Sequence, residues 1–399
     1  MTHRIAIIGS GFAGMWAALA AARVRDMAGS TPEACEIAVI SPSPLLVIRP
    51  RLYETALDEM SPELQSIFDR VGVRHVAARV ERIDTARRTL ALSSSATLSY
   101  DRLVLASGSV LNMPAIPGLA EHAWNVDQIE DARALEAHLH ALADEPETAE
   151  RNTVVVAGGG FTGIETAAEM AGRLRSHFGP AAETRIVIVE RAGAIGPDLG
   201  PGPRPVIELA LRELGVEVHV GAEVTSLDAR GITVAGLGRI DARTVVWTCG
   251  ARANPLAEQI PSTRDRYGRL HVTRDLRVEG AAAVYATGDV ACAATDDAGH
   301  HAMMSCQHAI ALGRAAGHNA AADLLGLPLR PYSQPKYVTC LDLGAWGAVY
   351  TEGWERDVKL QGAEAKQLKH MINTSLIYPP RGDRAAILAT ADPAIPVVA

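Results

Sequence analysis

Two apolar runs of the same kind occur in the chain, one near its start and one near residue 154. The first is Ile5-Ala-Ile-Ile8 and the second is Val154-Val-Val-Ala157, and each breaks into glycines before an alanine-rich stretch begins. A short apolar run bounded by glycine is typical of a buried strand, and alanine-rich stretches favour helix. The pattern therefore predicts strand, glycine loop and helix twice.

The glycines of both loops follow the spacing G-x-G-x-x-G. In such a loop the first glycine permits a tight turn, the second lets a pyrophosphate approach the backbone, and the third lets the helix pack against the strand. The helix N-terminus adds free N–H groups and the positive end of the helix dipole. We therefore predict two dinucleotide-binding loops, formed by Gly9, Gly11, Phe12, Ala13 and Gly14 and by Gly158, Gly160 and Gly163.

The strand that follows each loop ends in a different residue. Arg185-Ile-Val-Ile-Val-Glu190 ends in an acid, which suits a ribose 2′-hydroxyl. Glu36-Ile-Ala-Val-Ile-Ser41 ends in a serine at the equivalent position. The second site therefore has the expected ribose acid, and the first has Ser41 in its place.

The remaining apolar and polar patterns predict the other elements. The proline-rich segment 41–53 cannot start as a regular helix and leads into a helical pattern near Leu52. Linkers are predicted at 110–118 and 254–261. We predict strands at 100–108, 216–220, 244–250, 284–291, 337–343 and 347–350. We predict helices at 119–150, with the acidic run 143–150 at its end as a solvated loop, at 206–214, from residue 304 and at 363–376.

Composition and charge narrow the class of protein. The 399-residue chain has 48% hydrophobic and 21% charged residues, the balance of a packed globular protein. Its formal net charge of −8 argues against a nucleic acid partner. The five cysteines are odd in number and form no CxxC pair, which argues against a disulfide framework or a zinc site and fits the cytoplasm.

Taken together, these motifs resemble the FAD-dependent pyridine nucleotide oxidoreductases over nearly the whole chain. The resemblance implies an α/β fold in which two Rossmann-like domains, one for FAD and one for NAD(P)H, are followed by a small α+β domain, with the NAD(P)H domain inserted in the FAD domain. The expected boundaries are 1–115 and 256–328 for FAD, 116–255 for NAD(P)H and 329–399 for the C-terminal domain.

The resemblance also assigns cofactor-binding residues. The loop at Gly9 would hold the FAD pyrophosphate, and the Gly-Asp pair at the end of the FAD domain would hold the ribityl chain. The loop at Gly158 would hold NAD(P)H, and Glu190 favours NADH because it would repel a 2′-phosphate. Beyond the two glycine loops, the expected contacts are Ser41, Arg49, Gly108, Gly288 and Asp289 for FAD, and Glu190 and Gly250 for NAD(P)H.

Within that family the chain looks most like the type II NADH dehydrogenases. Gly158-Gly-Gly-Phe-Thr-Gly-Ile-Glu-Thr-Ala-Ala-Glu169 and Trp247-Thr-Cys-Gly-Ala-Arg-Ala-Asn-Pro-Leu256 follow their pattern, and Pro50-Arg-Leu-Tyr-Glu54 is a shorter match. No cysteine lies between Cys35 and Cys249, which excludes a redox disulfide beside the flavin at the usual position. We therefore expect hydride transfer from NADH to flavin N5 and then reduction of a small organic acceptor.

Quinone remains an alternative acceptor. Type II enzymes carry an Ala-Gln-x-x-x-Gln pattern near the quinone, and the residues aligned with it here are Cys306, Gln307 and Leu312. Only the first glutamine is present, so we expect an acceptor other than quinone. A reductase of one specific metabolite and, from another class, a flavin-binding redox sensor also remain open.

Three residues are candidates for catalysis: Glu165, Gln307 and His308. Glu165 falls where the family has a carboxylate beside the nicotinamide and flavin, although a helix-dipole role for an acid in the first turn is compatible with it. The histidines of segment 300–308 would shape the acceptor pocket, with no metal expected. Cys306 is expected to fill space more than to react.

The C-terminal helix offers two interpretations. Leu368, Met371, Ile372 and Leu376 would form one face, and Lys366, Lys369 and His370 would lie on the other. Such a helix at 363–378 could touch a membrane weakly. Docking onto the FAD domain of the same chain is the expected arrangement, and a homodimer is also open.

Overall fold

The computed structural model describes residues 3–398. Most of its strands belong to two parallel sheets and several small antiparallel ones. In chain order, the strands are β1 (His3–Ile8), β2 (Cys35–Ser41), β3 (Arg74–Ala77), β4 (Val80–Asp84), β5 (Thr89–Leu92), β6 (Thr97–Ser99), β7 (Arg102–Leu105), β8 (Ser109–Leu111), β9 (Thr153–Ala157), β10 (Arg185–Glu190), β11 (Val216–Val220), β12 (Val224–Asp228), β13 (Gly231–Val234), β14 (Gly238–Asp241), β15 (Thr244–Trp247), β16 (Ala251–Ala253), β17 (Leu270–His271), β18 (Val284–Ala286), β19 (Ala291–Cys292), β20 (Val338–Asp342), β21 (Ala348–Glu352) and β22 (Asp357–Gln361).

The helices cover the parallel sheets and connect their strands. In chain order, they are α1 (Phe12–Met27), α2 (Gln65–Val71), α3 (Leu119–His122), α4 (Ile129–Leu142), α5 (Phe161–Phe178), α6 (Arg204–Glu213), α7 (Cys306–Leu324), α8 (Gly362–Met371) and α9 (Arg384–Thr390). No helix in the span from residue 3 to residue 398 has both the length and the apolar composition needed to cross a bilayer.

Two parallel sheets carry the two glycine loops. The first has the order β18-β7-β1-β2-β3 and the second has the order β11-β10-β9-β15. Residues 5–8 of β1 and all of β9 are buried, as expected for parallel strands covered on both faces. In each sheet the loop follows a central strand and leads directly into a helix, α1 or α5. The predicted α/β fold is therefore confirmed.

An antiparallel ribbon connects the two sheets. Strand β8 follows β7 of the first sheet, strand β16 follows β15 of the second, and the two pair from Ser109 with Ala253 to Leu111 with Ala251. The chain thus leaves the first sheet and returns to it along the same ribbon. The boundaries expected at residues 115 and 255 lie just beyond it.

Helices α1 and α7 pack against each other at very short range. A Cβ added to Gly313 would lie 2.5 Å from the carbonyl oxygen of Ala13, and one added to Gly317 would lie 2.0 Å from that of Ala17. Glycine is therefore required at both positions for the two backbones to approach. This contact joins the start of the chain to a helix that follows the second sheet.

The predicted helix near Leu52 is wrong as an α-helix. The chain forms short 3₁₀ turns at Arg49–Arg51 and Leu57–Met60, and the next α-helix is α2. The carbonyl of Tyr53 accepts a hydrogen bond from Arg173 Nη1 at 3.1 Å, so a distant side chain takes the place of a helical partner. The predicted helix at 119–150 is likewise divided, into α3 and α4.

The C-terminal part contains the antiparallel sheet β20-β21-β22 and α8. Helix α8 ends at Met371 and continues as a π-helix over Ile372–Leu376. The predicted division of its faces is wrong, because Lys369 is buried together with Ala365 and Asn373, whereas Met371 and Leu376 of the expected apolar face are exposed. The Asn373 side chain donates to Glu54 Oε1 at 3.0 Å, so the segment docks onto its own chain.

Candidate functional site

The first glycine loop has the shape that the spacing predicts. Gly9 has φ +105°, and a Cβ there would lie 2.4 Å from the carbonyl oxygen of Ala106. A Cβ on Gly14 would lie 1.9 Å from the carbonyl oxygen of Gly9. At Gly11, by contrast, no neighbouring atom of the described residues comes within 4 Å of that position. The loop is closed on its protein side and open where a pyrophosphate would approach.

The second loop repeats this arrangement. Gly158 has φ +110°, and a Cβ there would lie 2.7 Å from Thr248 Oγ1. A Cβ on Gly163 would lie 1.9 Å from the carbonyl oxygen of Gly158, whereas Gly160 again faces open space in the part of the chain described. Gly250, with φ +78°, follows β15 and also has free space around it there. Both loops therefore fit a dinucleotide pyrophosphate.

Glu190 is tied to the second loop by its carboxylate. Oε2 accepts from the backbone N–H of Gly159 at 2.6 Å, and Oε1 accepts from that of Ala192 at 2.6 Å. The side chain is buried at the carboxyl end of β10. Its position beside the glycine loop is the one at which a ribose hydroxyl is recognised.

Four of the predicted FAD contacts meet at the carboxyl end of the first sheet. Gly288 has φ +66°, and a Cβ there would lie 2.8 Å from the Cβ of Ala13 in the first loop. The neighbouring Asp289 accepts a hydrogen bond from Ser109 Oγ at 2.6 Å. Arg49 Nη1 lies 3.8 Å from the Asp289 carboxylate and 3.1 Å from Ser109 Oγ, beside Gly108.

Sequence reasoning missed two members of this group, Ser109 and Asp127. Asp127 forms an ion pair with Arg49 and also accepts from its Nε through the backbone carbonyl at 3.0 Å. The two residues lie in a strand and in a loop whose sequences carry no motif. Only the fold brings them to Arg49 and Asp289.

Glu165 lies at the centre of a buried ion pair. Lys369 Nζ is 2.7 Å from Glu165 Oε1, and the side chains are only 6% and 4% exposed. The same oxygen accepts from the backbone N–H of Asp342 at 3.0 Å. Lys369 also donates to the carbonyl of Cys340 at 3.0 Å and lies 5.6 Å from the ring centre of Phe161.

Burial and the neighbouring charges shift the pKa values of both members of this pair. Burial raises the pKa of Glu165 to about 7, although Lys369 lowers it. Burial lowers the pKa of Lys369, but Glu165, Cys340 and Asp342 together raise it, and the net direction is upward. The first turn of α5 carries no acid, so the helix-dipole interpretation of Glu165 is wrong. Its buried partner is a side chain that the sequence placed on the solvent face.

Tyr53 and Asp342 complete the surroundings of the pair. The Tyr53 hydroxyl donates to Asp342 Oδ2 at 3.3 Å, and its ring centre is 5.9 Å from Lys369 Nζ. Burial raises the pKa of Tyr53 well above its usual range, so it stays protonated at neutral pH. Tyr53, from the short Pro50–Glu54 segment that matches the type II pattern, therefore lines this site.

Gln307 and Cys306 lie at the start of α7, half-buried. Gln307 Nε2 donates to the carbonyl of Val338 at 3.3 Å, and its Oε1 accepts from Gln334 at 3.4 Å. Burial raises the pKa of the Cys306 thiol to about 11, so it is protonated at neutral pH. This agrees with a packing role for Cys306.

His308 lies in a stack of rings and not at an open pocket. It is fully buried, its ring centre is 5.0 Å from that of Tyr337, and Nδ1 is 3.0 Å from Ser305 Oγ. Burial lowers its pKa to about 3, which does not suit a proton donor near neutral pH. His300 stacks on Trp354 with ring centres 4.4 Å apart and pairs with Asp296. Among residues 3–398 no group of histidine, cysteine or acidic side chains is arranged to hold a metal.

Leu312 is not the residue that faces the acceptor. Its side chain is fully buried in the core between α1 and α7. Counted from Gln307, the second glutamine of the pattern falls one residue earlier, on the half-buried Ala311. Ala311, and not Leu312, therefore stands where the pattern has its second glutamine.

Comparison with known proteins agrees with this geometry. The family model described as pyridine nucleotide-disulphide oxidoreductase matches residues 3–313. An NADH dehydrogenase-like protein of Mycobacterium tuberculosis is 48% identical over 395 residues, covering 98% of both chains. A type II NADH:quinone oxidoreductase of the same species is 30% identical over 321 residues, covering 72% of this chain and 66% of the other.

Solved structures show the same fold. The structure of NDH2 from Plasmodium falciparum in complex with NADH matches with a TM-score of 0.77 and 15% identity, covering 95% of each chain. The two glycine loops of the present structure lie within the residues matched by the family model. The chain belongs to the pyridine nucleotide-disulphide oxidoreductase family.

Proposed function

We propose that the protein oxidises NADH through bound FAD and passes the electrons to a small organic acceptor. The observation that carries the proposal is the pair of glycine loops, each closed on the protein side and open at its middle glycine, Gly11 or Gly160. One loop would hold each dinucleotide. The overall reaction consumes NADH, one proton and the oxidised acceptor and yields NAD⁺ and the reduced acceptor.

The residues of the first sheet would bind and orient FAD. Backbone N–H groups at the start of α1 would face the pyrophosphate, and Asp289, fixed by Ser109, would accept from ribityl hydroxyls. Arg49 is held between Asp127 and Asp289 and would lie along the cofactor. When bound, FAD supplies the capacity to accept a hydride and store two electrons.

The second sheet would bind the nicotinamide dinucleotide and favour NADH. The carboxylate of Glu190 accepts from two backbone N–H groups and lies beside the loop. A 2′-phosphate would bring negative charge next to it, which is unfavourable. Gly160 and Gly250 leave room for the ligand.

The Glu165–Lys369 pair would serve the proton balance of the reaction. A carboxyl with a pKa near 7 exchanges a proton readily at neutral pH. The adjacent lysine and Tyr53 are both protonated there and stabilise negative charge. We therefore propose that Glu165 holds a proton beside the redox site. Lys369 and Asp342 would orient the carboxyl group of Glu165.

A type II NADH:quinone oxidoreductase is the second candidate. It is favoured by the M. tuberculosis relative of that name, 30% identical, and by Gln307, which keeps the first polar position of the pattern. At the second polar position of the pattern this chain has Ala311 instead of glutamine. A panel of quinones and of small polar acceptors, compared by kcat/KM, separates the two candidates.

We further propose the domain boundaries 1–115, 116–255, 256–328 and 329–399 and a cytoplasmic location. The exposed Met371 and Leu376 are the side chains through which segment 363–378 would make a weak membrane contact. A homodimer would be tested by light scattering.

The test of the main proposal is the absorbance spectrum of the purified protein without oxygen. A yellow protein with flavin bands that bleach on addition of NADH, and return on addition of an acceptor, supports the proposal. A protein that cannot be loaded with FAD, or whose flavin bands are unaffected by NADH, overturns it.

A further inference from the structure

Arg49 lies between two carboxylates at the carboxyl end of the first sheet. It forms an ion pair with Asp127 on one side, and its Nη1 is 3.8 Å from Asp289 Oδ2 on the other. Its Nε also donates to the backbone carbonyl of Asp127 at 3.0 Å. Nη1 donates to the hydroxyl of Ser109 at 3.1 Å, and that hydroxyl donates to Asp289 Oδ2 at 2.6 Å. The guanidinium is therefore bonded to Asp127 directly and to Asp289 only through Ser109.

This arrangement leaves hydrogen-bonding capacity at both Arg49 and Asp289. A guanidinium has five N–H groups, and three of those of Arg49 are taken by Asp127 and Ser109. Within residues 3–398, no hydrogen bond reaches Oδ1 of Asp289. Both side chains are partly exposed. The free N–H groups and the free oxygen are therefore available to a ligand that carries hydrogen-bond acceptors as well as hydroxyl groups.

These groups lie in the crevice where the first dinucleotide would bind. Gly288, next to Asp289, is so near the first glycine loop that a Cβ on it would lie 2.8 Å from that of Ala13. A Cβ on Gly108 would lie 4.0 Å from Arg49 Nη1. Gly108 and Gly288 follow the carboxyl ends of β7 and β18, and ligands of open α/β sheets bind outside such ends.

Asp127 is held in place by the second sheet. Three residues before it, the N–H of Trp124 donates to the carbonyl of Val245 at 2.8 Å, and the carbonyl of Trp124 accepts from Trp247 N–H at 2.7 Å. The segment thereby joins the edge of that sheet at β15. The Asp127 carboxylate also accepts from Gln128 Nε2 at 2.7 Å. A group that positions another must itself be fixed, and Asp127 meets this condition.

The charge of Asp127 keeps the guanidinium away from Asp289. With that carboxylate present, Arg49 is shared between two acids and stays beyond hydrogen-bonding distance of Asp289, at 3.8 Å. Without it, Asp289 would be the nearest negative charge, and the attraction would bring the guanidinium onto its free oxygen. The acceptor that a ligand hydroxyl needs would then be taken by the protein itself.

We propose that Asp127 is a positioning residue for FAD binding: it holds Arg49 beside the cofactor and away from Asp289, so that both side chains can bind FAD. The inference rests on the proposed function, because it requires FAD at the first loop. It also gives the second sheet, which would bind NADH, a part in building the FAD site. Asp127 acts through Arg49 and not by contact with the cofactor.

The first test measures how fast FAD leaves the holoprotein, from the rise in fluorescence of free FAD after dilution. Asp127→Asn removes the charge and keeps the shape, and it should release FAD about fivefold faster, because one hydrogen bond to the cofactor is lost. Arg49→Gln should also release FAD faster. The double variant should match Arg49→Gln. An unchanged rate in Asp127→Asn, or faster release from the double variant than from Arg49→Gln, would overturn the proposal.

The second test measures the midpoint potential of the bound flavin, which responds to nearby charge. Asp127→Asn should raise this potential, because the uncompensated guanidinium favours the additional electrons of the reduced flavin, and Arg49→Gln should lower it. In the double variant the two changes in charge cancel, and the potential should return close to that of the unmutated protein. A merely structural role for Asp127 predicts no such opposition, so shifts of the same sign in both single variants contradict the proposal.

Asp323→Asn is the matched control. Asp323 pairs with Arg102 at the start of β7, at the opposite end of the same sheet, and the two side chains are 19% and 20% exposed. This variant should leave the release rate and the potential unchanged, and circular dichroism shows whether each variant is folded. If the control changed as much as Asp127→Asn, the loss of any ion pair of this sheet would loosen FAD, and the specific role of Asp127 would be refuted. A protein that binds no FAD at all refutes the proposed function instead.

Discussion

Glu165 and Lys369 are 204 residues apart in the chain, and their carboxylate and ammonium groups are 2.7 Å apart in the interior. One comes from the helix that follows the second glycine loop and the other from the C-terminal helix α8. Removing one partner of a buried pair leaves an uncompensated charge or forces a proton onto the other. The pair therefore links the stability of the C-terminal region to the chemistry of the site.

The first prediction concerns stability. Lys369→Met should lower the free energy of unfolding at pH 8 by about 3 kcal/mol, because Glu165 is left buried without its partner. The double variant Glu165→Gln/Lys369→Met should recover part of this loss. Lys359→Met is the matched control, since Lys359 is exposed and pairs with Asp357 at the surface. Urea unfolding followed by circular dichroism measures all four proteins.

The same pair gives the stability a pH dependence. The pKa of Glu165 in the folded protein, about 7, is above its ordinary value of 4.5, so the folded state binds the proton more tightly. Its contribution is fully present below pH 4.5 and is lost as the pH rises through 7. Lys369→Met should move this loss to higher pH, because the lysine that favours the carboxylate is gone. Equal pH profiles for the two proteins would contradict the assignment.

The second prediction concerns the reaction. The rate of flavin reduction by NADH should change with an apparent pKa near 7 in the unmutated protein and lose this dependence in Glu165→Gln. Anaerobic stopped-flow absorbance between pH 5.5 and 8.5 measures it. Glu169→Gln, one turn further along α5, is the control, because burial also raises the pKa of Glu169. If the inflection were lost in Glu169→Gln alone, the group that controls flavin reduction would be Glu169 and not Glu165.

The third prediction concerns the choice of donor. NADH should be preferred over NADPH by about 1–3 kcal/mol in kcat/KM, the repulsion between Glu190 and a 2′-phosphate. Glu190→Gln should lower the ratio of kcat/KM for NADH to kcat/KM for NADPH, and its side chain keeps one oxygen for the backbone N–H groups. The exposed Arg191 is the adjacent cation, and Arg191→Gln should widen the ratio. Equal efficiency in the unmutated protein would show that Glu190 does not discriminate.

The fourth prediction separates the two functions of the loop glycines. Gly11→Ala should leave the apoprotein as stable as before, because its φ of −64° suits alanine and its Cβ meets no atom within 4 Å among residues 3–398. It should weaken FAD binding by about 1–3 kcal/mol, since the methyl group enters the ligand space. Gly14→Ala should instead damage folding, because its Cβ would lie 1.9 Å from Gly9 O. Thermal unfolding and FAD titration distinguish the two.

The fifth prediction concerns the acceptor. Ala311→Gln restores the second polar position and should raise quinone turnover more than NADH-driven flavin reduction. Leu312→Gln is the matched variant, and it should lower the free energy of unfolding by about 1–3 kcal/mol through a buried unpaired amide. Tight, saturable quinone reduction by the unmutated protein would show that Gln307 alone suffices.

The sequence was informative wherever the chemistry is local. Gly9 and Gly14, or Gly158 and Gly163, are neighbours in the chain and in space, so their spacing predicts their geometry. Glu190 could be placed because a parallel strand after a glycine loop ends at the same edge of the sheet. The two parallel sheets followed from the same runs of apolar residues.

Contacts between distant segments could not be predicted in this way. Lys369 has the helical spacing of a solvent-exposed lysine, and only the docking of α8 brings it to Glu165. Ser41 Oγ is 2.9 Å from Nε2 of His75, a single histidine on the short strand β3, and nothing in the sequence around either residue indicates this pair. The crowding of histidines in that segment from 300 to 308 predicts a reactive His308, whereas the rings of Tyr337, just before β20, and Trp354, in the turn between β21 and β22, pack against it.

The close approach of α1 and α7 has a consequence for how the protein is made. The first sheet contains β1 and β18, and Gly313 and Gly317 pack on Ala13 and Ala17, so this half of the molecule depends on both early and late parts of the chain. The second sheet is built from one continuous stretch, 153–247. During synthesis the inserted unit can therefore complete its fold first, while the N-terminal strand and helix wait for α7 to emerge from the ribosome. Until then the apolar faces of α1 are uncovered, and the nascent chain at that stage is the form that most needs a chaperone.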